Sequence, residues 1–78
     1  MLTYRRNQDY RSHVALWGDT VAKRPENPRA HDGLAEAFTE LGRVAEALRH
    51  RQEAVRLEPN ESKYHYNLGM TLSAANQT

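Results

Sequence analysis

The stretch PRAHDGLAEAFTELGRVAEALRHRQEAVRLEPN, residues 28–60, decides the fold. It opens on Pro28, breaks at Leu41-Gly42-Arg43 and closes on Pro59. Before the break, apolar residues fall at Ala30, Leu34, Phe38 and Leu41. After it they fall at Val44, Ala47, Leu48, Ala54, Val55 and Leu57. Spacings of three and four are those of an amphipathic helix, not a strand. Pro28 suits the first helical position, with Asn27 as the N-cap. Gly42 suits the left-handed position that ends a helix. Glutamate and arginine, both helix formers, fill the outer faces.

Outward from this stretch the same grammar continues. Upstream, Tyr10, Val14, Trp17 and Val21 form a stripe that stops before Pro25. Downstream, Tyr64, Leu68, Leu72 and Ala75 form another after Pro59. Proline stops a helix by lacking an N–H and by restricting the residue before it. Four helices are predicted, over 9–24, 28–41, 44–58 and 62–75. Their short connections make neighbours antiparallel. The fold class is all-α.

Composition narrows the function classes. The chain has 78 residues, no cysteine, 38% hydrophobic and 27% charged residues, and a net charge of +1. That is a single small domain without disulfides or a thiolate metal site. It is too apolar and too evenly charged for a disordered chain. Bulk charge offers no argument for nucleic acid. No apolar run is long enough to span a membrane. The first eleven residues carry three arginines and no apolar stretch, unlike a signal peptide.

A shift of 34 residues lays the chain on itself. Val21 meets Val55, Pro25 meets Pro59, His31 meets His65 and Leu34 meets Leu68. Arg29 meets Lys63, Ala35 meets Gly69 and Phe38 meets Leu72. These matches fall on helix stops and apolar positions. With two helices per period, the chain resembles the tetratricopeptide repeat (TPR) family. The residues carrying the resemblance are His31-x2-Leu34-Ala35-x2-Phe38, Gly42, Ala47-x3-Arg51, Ala54 and Pro59-Asn60. They are followed by His65-x2-Leu68-Gly69-x2-Leu72, and preceded by His13-x3-Trp17 and Pro25.

The resemblance implies a half repeat over 9–27, a full repeat over 28–61 and a half repeat over 62–76. Its physical basis is close packing. Small residues at Ala35, Ala47, Ala54 and Gly69 let helices approach, and Leu34, Phe38, Leu68 and Leu72 fill between them. Histidine stands twice for the family's tryptophan, and Arg51 for an aromatic. The Arg51 stem is expected to pack while its guanidinium reaches solvent or an acid. Asn76 takes the place of a turn glycine. The opening, residues 4–31, is similar to the segment before the repeats in polytopic membrane proteins with C-terminal TPR arrays, glycosyltransferase-like proteins among them. That likeness implies that the chain is an excised piece of a longer protein.

Catalytic signals are absent from the pattern. None of His13, His31, His50 and His65 is three or four residues from another, so no helical metal-chelating pair exists. His31 and His65 are repeat equivalents and are expected edge-on at helix seams. Asp32, Glu36 and Glu40 recur every four residues, but an acid–base pair needs a pocket that shifts one of them. No metal or cofactor is expected. The row is better suited to docking a basic or amide-rich peptide.

In the family, the first helix of each repeat lines a concave groove. The resemblance thus implies groove residues Arg29, Asp32, Glu36 and Thr39 on the second helix. On the fourth helix it implies Lys63, Tyr66, Asn67, Met70 and Ser73. Two acids there disfavour a terminal carboxylate as ligand. Arg5, Arg6 and Arg11 would suit phosphates, but Glu46 and Glu53 interleave with the third-helix cations as ordinary surface pairs with His50, Arg49 and Arg56. Trp17 continues the stripe of the first helix and should anchor it on the second.

The function expected is a protein-interaction scaffold holding a peptide segment, with no catalysis of its own. The alternative is a TPR appendage of a membrane-bound glycosyltransferase-like protein that recruits protein substrate. A fourth helix without a following partner also implies self-association through its bare face. A strict monomer at all concentrations, by mass measurement, would argue against that last expectation.

Overall fold

Prolines, one asparagine and one glycine set the helix ends. The computed structural model describes the backbone of residues 2–76 and the side chains of residues 10–76. Four helices follow in order: α1 Leu2–Lys23, α2 Pro28–Glu40, α3 Val44–Leu57 and α4 Ser62–Asn76. Asn27 caps α2, its side chain accepting from the backbone N–H of Arg29 at 3.0 Å and of Ala30 at 3.4 Å. Gly42 takes φ 81°, the only positive φ among the described residues. Around it Gly42 N–H donates to Thr39 O at 3.0 Å and Arg43 N–H to Phe38 O at 2.8 Å. This paired closure satisfies carbonyls that the helix end would otherwise leave open.

Two departures from the sequence expectation matter; apart from the start of α1, every helix end agrees with it to within one residue. Helix α1 begins at Leu2 rather than at residue 9, since no proline or glycine interrupts the chain before Gly18. Gly18 itself stays helical with open space around it. Asn76 is the last residue of α4 rather than a left-handed cap.

The repeat is visible in the backbone. In the loop after α1, Arg24 N–H donates to Thr20 O at 2.8 Å and Asn27 N–H to Arg24 O at 3.1 Å. In the loop after α3, Glu58 N–H donates to Ala54 O at 2.9 Å and Glu61 N–H to Glu58 O at 3.2 Å. The second set is the first displaced by 34 positions. The equivalent histidines close the same loops: His31 Nε2 lies 2.7 Å from Pro25 O, and His65 Nε2 lies 2.6 Å from Pro59 O. A carbonyl only accepts, so each ring donates there.

Each helix packs on its neighbours in sequence, α1 on α2, α2 on α3 and α3 on α4. The core joins Leu34, Ala35, Phe38 and Ala47, with Val14, Trp17 and Val21 packed against it. Ala35, Ala47 and Ala54 are fully buried, as close helix approach requires. Gly69 does not share this role: it is exposed, with nothing near its missing side chain. Leu72 is likewise 42% exposed, whereas its equivalent Phe38 is buried. The reason is simple: α3 covers this face of α2, and no described helix covers it on α4. His65 is exposed for the same reason and sits in no seam.

The first and second interfaces fill one slot differently. Trp17 lies over Gly33, so close that a Cβ there would fall 2.5 Å from its ring. Their equivalents are Arg51 and Asn67. The wide ring thus meets a bare backbone, whereas the slender arginine and the Asn67 side chain both approach Asp32.

No described helix is long and apolar enough to cross a membrane. The surface ion pairs on α3 join Arg43 with Glu46 at 2.7 Å and Arg56 with Glu53. Direct Glu46–His50 and Glu53–Arg49 pairs are not formed. The Arg5 and Arg6 side chains lie outside the described residues.

Candidate functional site

Helices α2 and α4 flank a groove of ≈ 380 Å³ with Arg51 of α3 between them. Its walls are Asp32, Glu36, Thr39 and Glu40 on one side and Asn67, Met70, Thr71 and Ala74 on the other. The walls are tied together at one end. Asn67 Nδ2 donates to both carboxylate oxygens of Asp32, at 3.2 and 3.4 Å. Arg51 Nη1 approaches Asp32 Oδ1 at 3.6 Å. These two side chains are only 11% and 20% exposed, so the pair is largely desolvated. Arg51 Nε is buried with no hydrogen-bond partner among the described residues.

Both threonine hydroxyls are spent on the backbone. Thr39 Oγ1 donates to Ala35 O at 2.8 Å and Thr71 Oγ1 to Asn67 O at 3.0 Å. Met70, 57% exposed, offers an adaptable apolar surface. Glu36 and Glu40, both exposed, take part in no ion pair among the described residues.

Five of the nine groove residues expected from sequence line this groove: Asp32, Glu36, Thr39, Asn67 and Met70. Arg29, Lys63, Tyr66 and Ser73 do not. Arg29 and Lys63 stand in the first turns of α2 and α4, short of the groove. Tyr66 and Ser73 lie about a quarter-turn round α4 from the lining residues. Asp32 is not a free contact, because Arg51 and Asn67 already hold it. Sequence reasoning missed Glu40, Arg51, Thr71 and Ala74 as lining. Glu40 belonged to the acidic row and was within reach of the pattern. Arg51 on the next helix was not, because its place depends on the register between helices.

No family model matches the chain. Individual proteins do. It is 38% identical over 65 residues to protein O-mannosyl-transferase Tmtc2 of Drosophila melanogaster, a match over 83% of this chain and 7% of that protein. It is 30% identical over 71 residues to protein O-mannosyl-transferase Tmtc3 of the same fly, over 91% of this chain and 8% of that one. It is 33% identical over 63 residues to the TPR repeat-containing thioredoxin TTL4 of Arabidopsis thaliana, over 81% of this chain and 9% of that protein. This chain is a tetratricopeptide-repeat segment. It spans less than a tenth of the length of these curated relatives.

Within the TPR segment, His31 is tied to more than the loop. Its Nδ1 lies 3.0 Å from His50 Nδ1 across the α2–α3 seam. The ring centroids are 5.2 Å apart, so the rings meet corner to corner through these nitrogens. His50 also faces Phe38, at 5.8 Å between centroids. Since His31 donates through Nε2 to Pro25 O, one proton suffices between the facing nitrogens, and a second would set two N–H groups against each other.

The His50 ring is held below its ordinary value of 6.5, first by burial, then by His31 and Arg49, with Glu46 and Glu53 opposing. The unfolded chain therefore takes up this proton before the folded one. Stability from this source is complete above pH 6.5 and is lost as pH falls through that value toward the lowered one. The slope for one proton is at most about 1.4 kcal/mol per pH unit. Urea midpoints should fall between neutral and mildly acidic pH, and less so in His50→Gln. Identical pH slopes in the two proteins would refute the assignment.

Among the described residues no group of three or more His, Cys, Asp or Glu is placed to hold a metal ion.

Proposed function

We propose that this TPR segment is a non-catalytic recognition module that holds a peptide segment of another protein between α2 and α4. The observation that carries the reading is the groove itself, whose walls are positioned by Asp32, Arg51 and Asn67. An extended segment fits such a surface, apolar at Met70 and polar at the rim. Of the nine residues expected from sequence, Asp32, Glu36, Thr39, Asn67 and Met70 form the proposed contact set, with Glu40, Thr71 and Ala74 added.

Peptide-display selection on the immobilised segment tests it, with Ala74→Phe as the counter-screen. Phenylalanine at this position fills the groove without changing charge, and far-ultraviolet circular dichroism verifies the fold. Peptides that enrich on the parent and are lost on Ala74→Phe support the reading. No enrichment, or equal binding to both, refutes it.

The similarity to two mannosyltransferases favours a second reading, that of a repeat appendage that brings protein substrate to a membrane-bound glycosyltransferase. The coding frame tests this: upstream membrane-spanning segments support it, and a frame without them removes it. The bare face of α4, with Leu72 exposed and Gly69 open, also favours self-association. Mass measured across a concentration series checks that point.

A further inference from the structure

We infer that the groove takes a cationic side chain, lysine or arginine, of the bound protein segment, with its head at Glu36 and Glu40 and its stem along Met70. The inference rests on the groove reading above and names the ligand chemistry of the same surface.

Its basis is which polar groups remain uncommitted. Three carboxylates and one guanidinium line the groove. The guanidinium belongs to Arg51: its charge faces Asp32 at 3.6 Å, and its unpartnered Nε is buried away from the opening; Asp32 also receives the Asn67 amide. Thr39 and Thr71 donate to backbone carbonyls of their own helices, so neither hydroxyl proton is available to a ligand. Glu36 and Glu40 stand one turn apart on α2, exposed and without an ion-pair partner among the described residues. The uncommitted charge is therefore negative and lies on one wall. The opposite wall offers an exposed thioether at Met70 and the small Ala74.

A side chain that matches both walls needs a long apolar stem and a positive head. Lysine and arginine have both, and they bury their stems while their heads stay at a polar rim. An acidic side chain or a chain-terminal carboxylate meets two like charges here, and the one cation of the lining, Arg51, already faces Asp32. A purely apolar side chain would desolvate the carboxylates without compensation.

The experiment extends the selection. Peptides that depend on the open groove should be enriched in lysine or arginine. Each is resynthesised with the cation replaced by norleucine, and tested on the parent and on Glu36→Gln/Glu40→Gln. Both carboxylates are exposed, so that variant keeps the fold, which circular dichroism confirms. Either change should weaken binding by about tenfold, as expected for two exposed charge contacts, and the two changes together should not double the loss. Added salt should weaken the parent complex and leave the norleucine peptide unaffected. Groove-dependent peptides without a cation, or with affinity unchanged in the glutamine variant, overturn this inference and leave the groove reading standing. If no peptide depends on the open groove, both are refuted.

Discussion

Asp32→Ala is expected to remove about 3 kcal/mol of stability, most of what a core this small supplies. Arg51 lies mostly inside, between α2 and α4, and Asp32 is its acidic partner at 3.6 Å. Without that carboxylate the guanidinium is a charge held away from water with nothing to offset it. The Asn67 amide loses its acceptor in the same step. Urea unfolding monitored by circular dichroism measures the loss. The double variant Asp32→Ala/Arg51→Met should recover most of it, because methionine keeps the stem and removes both the charge and the unpartnered Nε. A loss below about 1 kcal/mol for Asp32→Ala would mean that the pair behaves as an ordinary surface ion pair, and the groove would lose its structural anchor.

The second large effect sits at the α1–α2 interface. Trp17→Ala is expected to cost about 3 kcal/mol, since the ring packs on the core beside Val14 and Val21. Gly33→Ala should cost about 1–2 kcal/mol, even though alanine favours a helix more than glycine does. The added methyl falls 2.5 Å from Trp17 Cε2 and under 3.0 Å from two more ring atoms, so the ring must move. In the Trp17→Ala background the same methyl meets no ring, and Gly33→Ala should be neutral or stabilising by up to about 1 kcal/mol. The thermodynamic cycle therefore has a coupling of about 2 kcal/mol. Additive losses would show that the ring does not rest on Gly33. The equivalent positions, Arg51 and Asn67, should lack this steric clash and be linked instead through Asp32, which both approach.

Much of the fold was readable because it depends on local chemistry. Pro28, Asn27 and Gly42 act on the backbone within a few residues, so α2 and α3 fall where spacing put them. The start of α1 was not readable, since apolar spacing alone says nothing about a polar helical extension toward Leu2. Leu68, Gly69 and Leu72 carry the same pattern as Leu34, Ala35 and Phe38, yet the latter three are buried and Gly69 and Leu72 are not. Pattern marks a face that is able to pack; only a neighbouring helix determines whether it does.

The groove divides in the same way. The family resemblance assigned nine residues to a groove; Asp32, Glu36, Thr39, Asn67 and Met70 line it, and Arg29, Lys63, Tyr66 and Ser73 do not. It also foresaw that the Arg51 guanidinium would seek solvent or an acid. It did not identify that acid as Asp32, nor show that the two charges face each other inside the groove. Nor did it pair His31 with His50, 19 positions away. The sequence by itself determined the four helices, the ends set by Asn27, Pro28, Gly42 and Pro59, the 34-residue period and the identity of the charged rows. The tertiary structure alone decided which charges are spent inside and which remain for a partner. Helix formation depends on neighbours in the chain, whereas charge pairing depends on the register between helices, and that register is settled by packing at the alanine and tryptophan contacts.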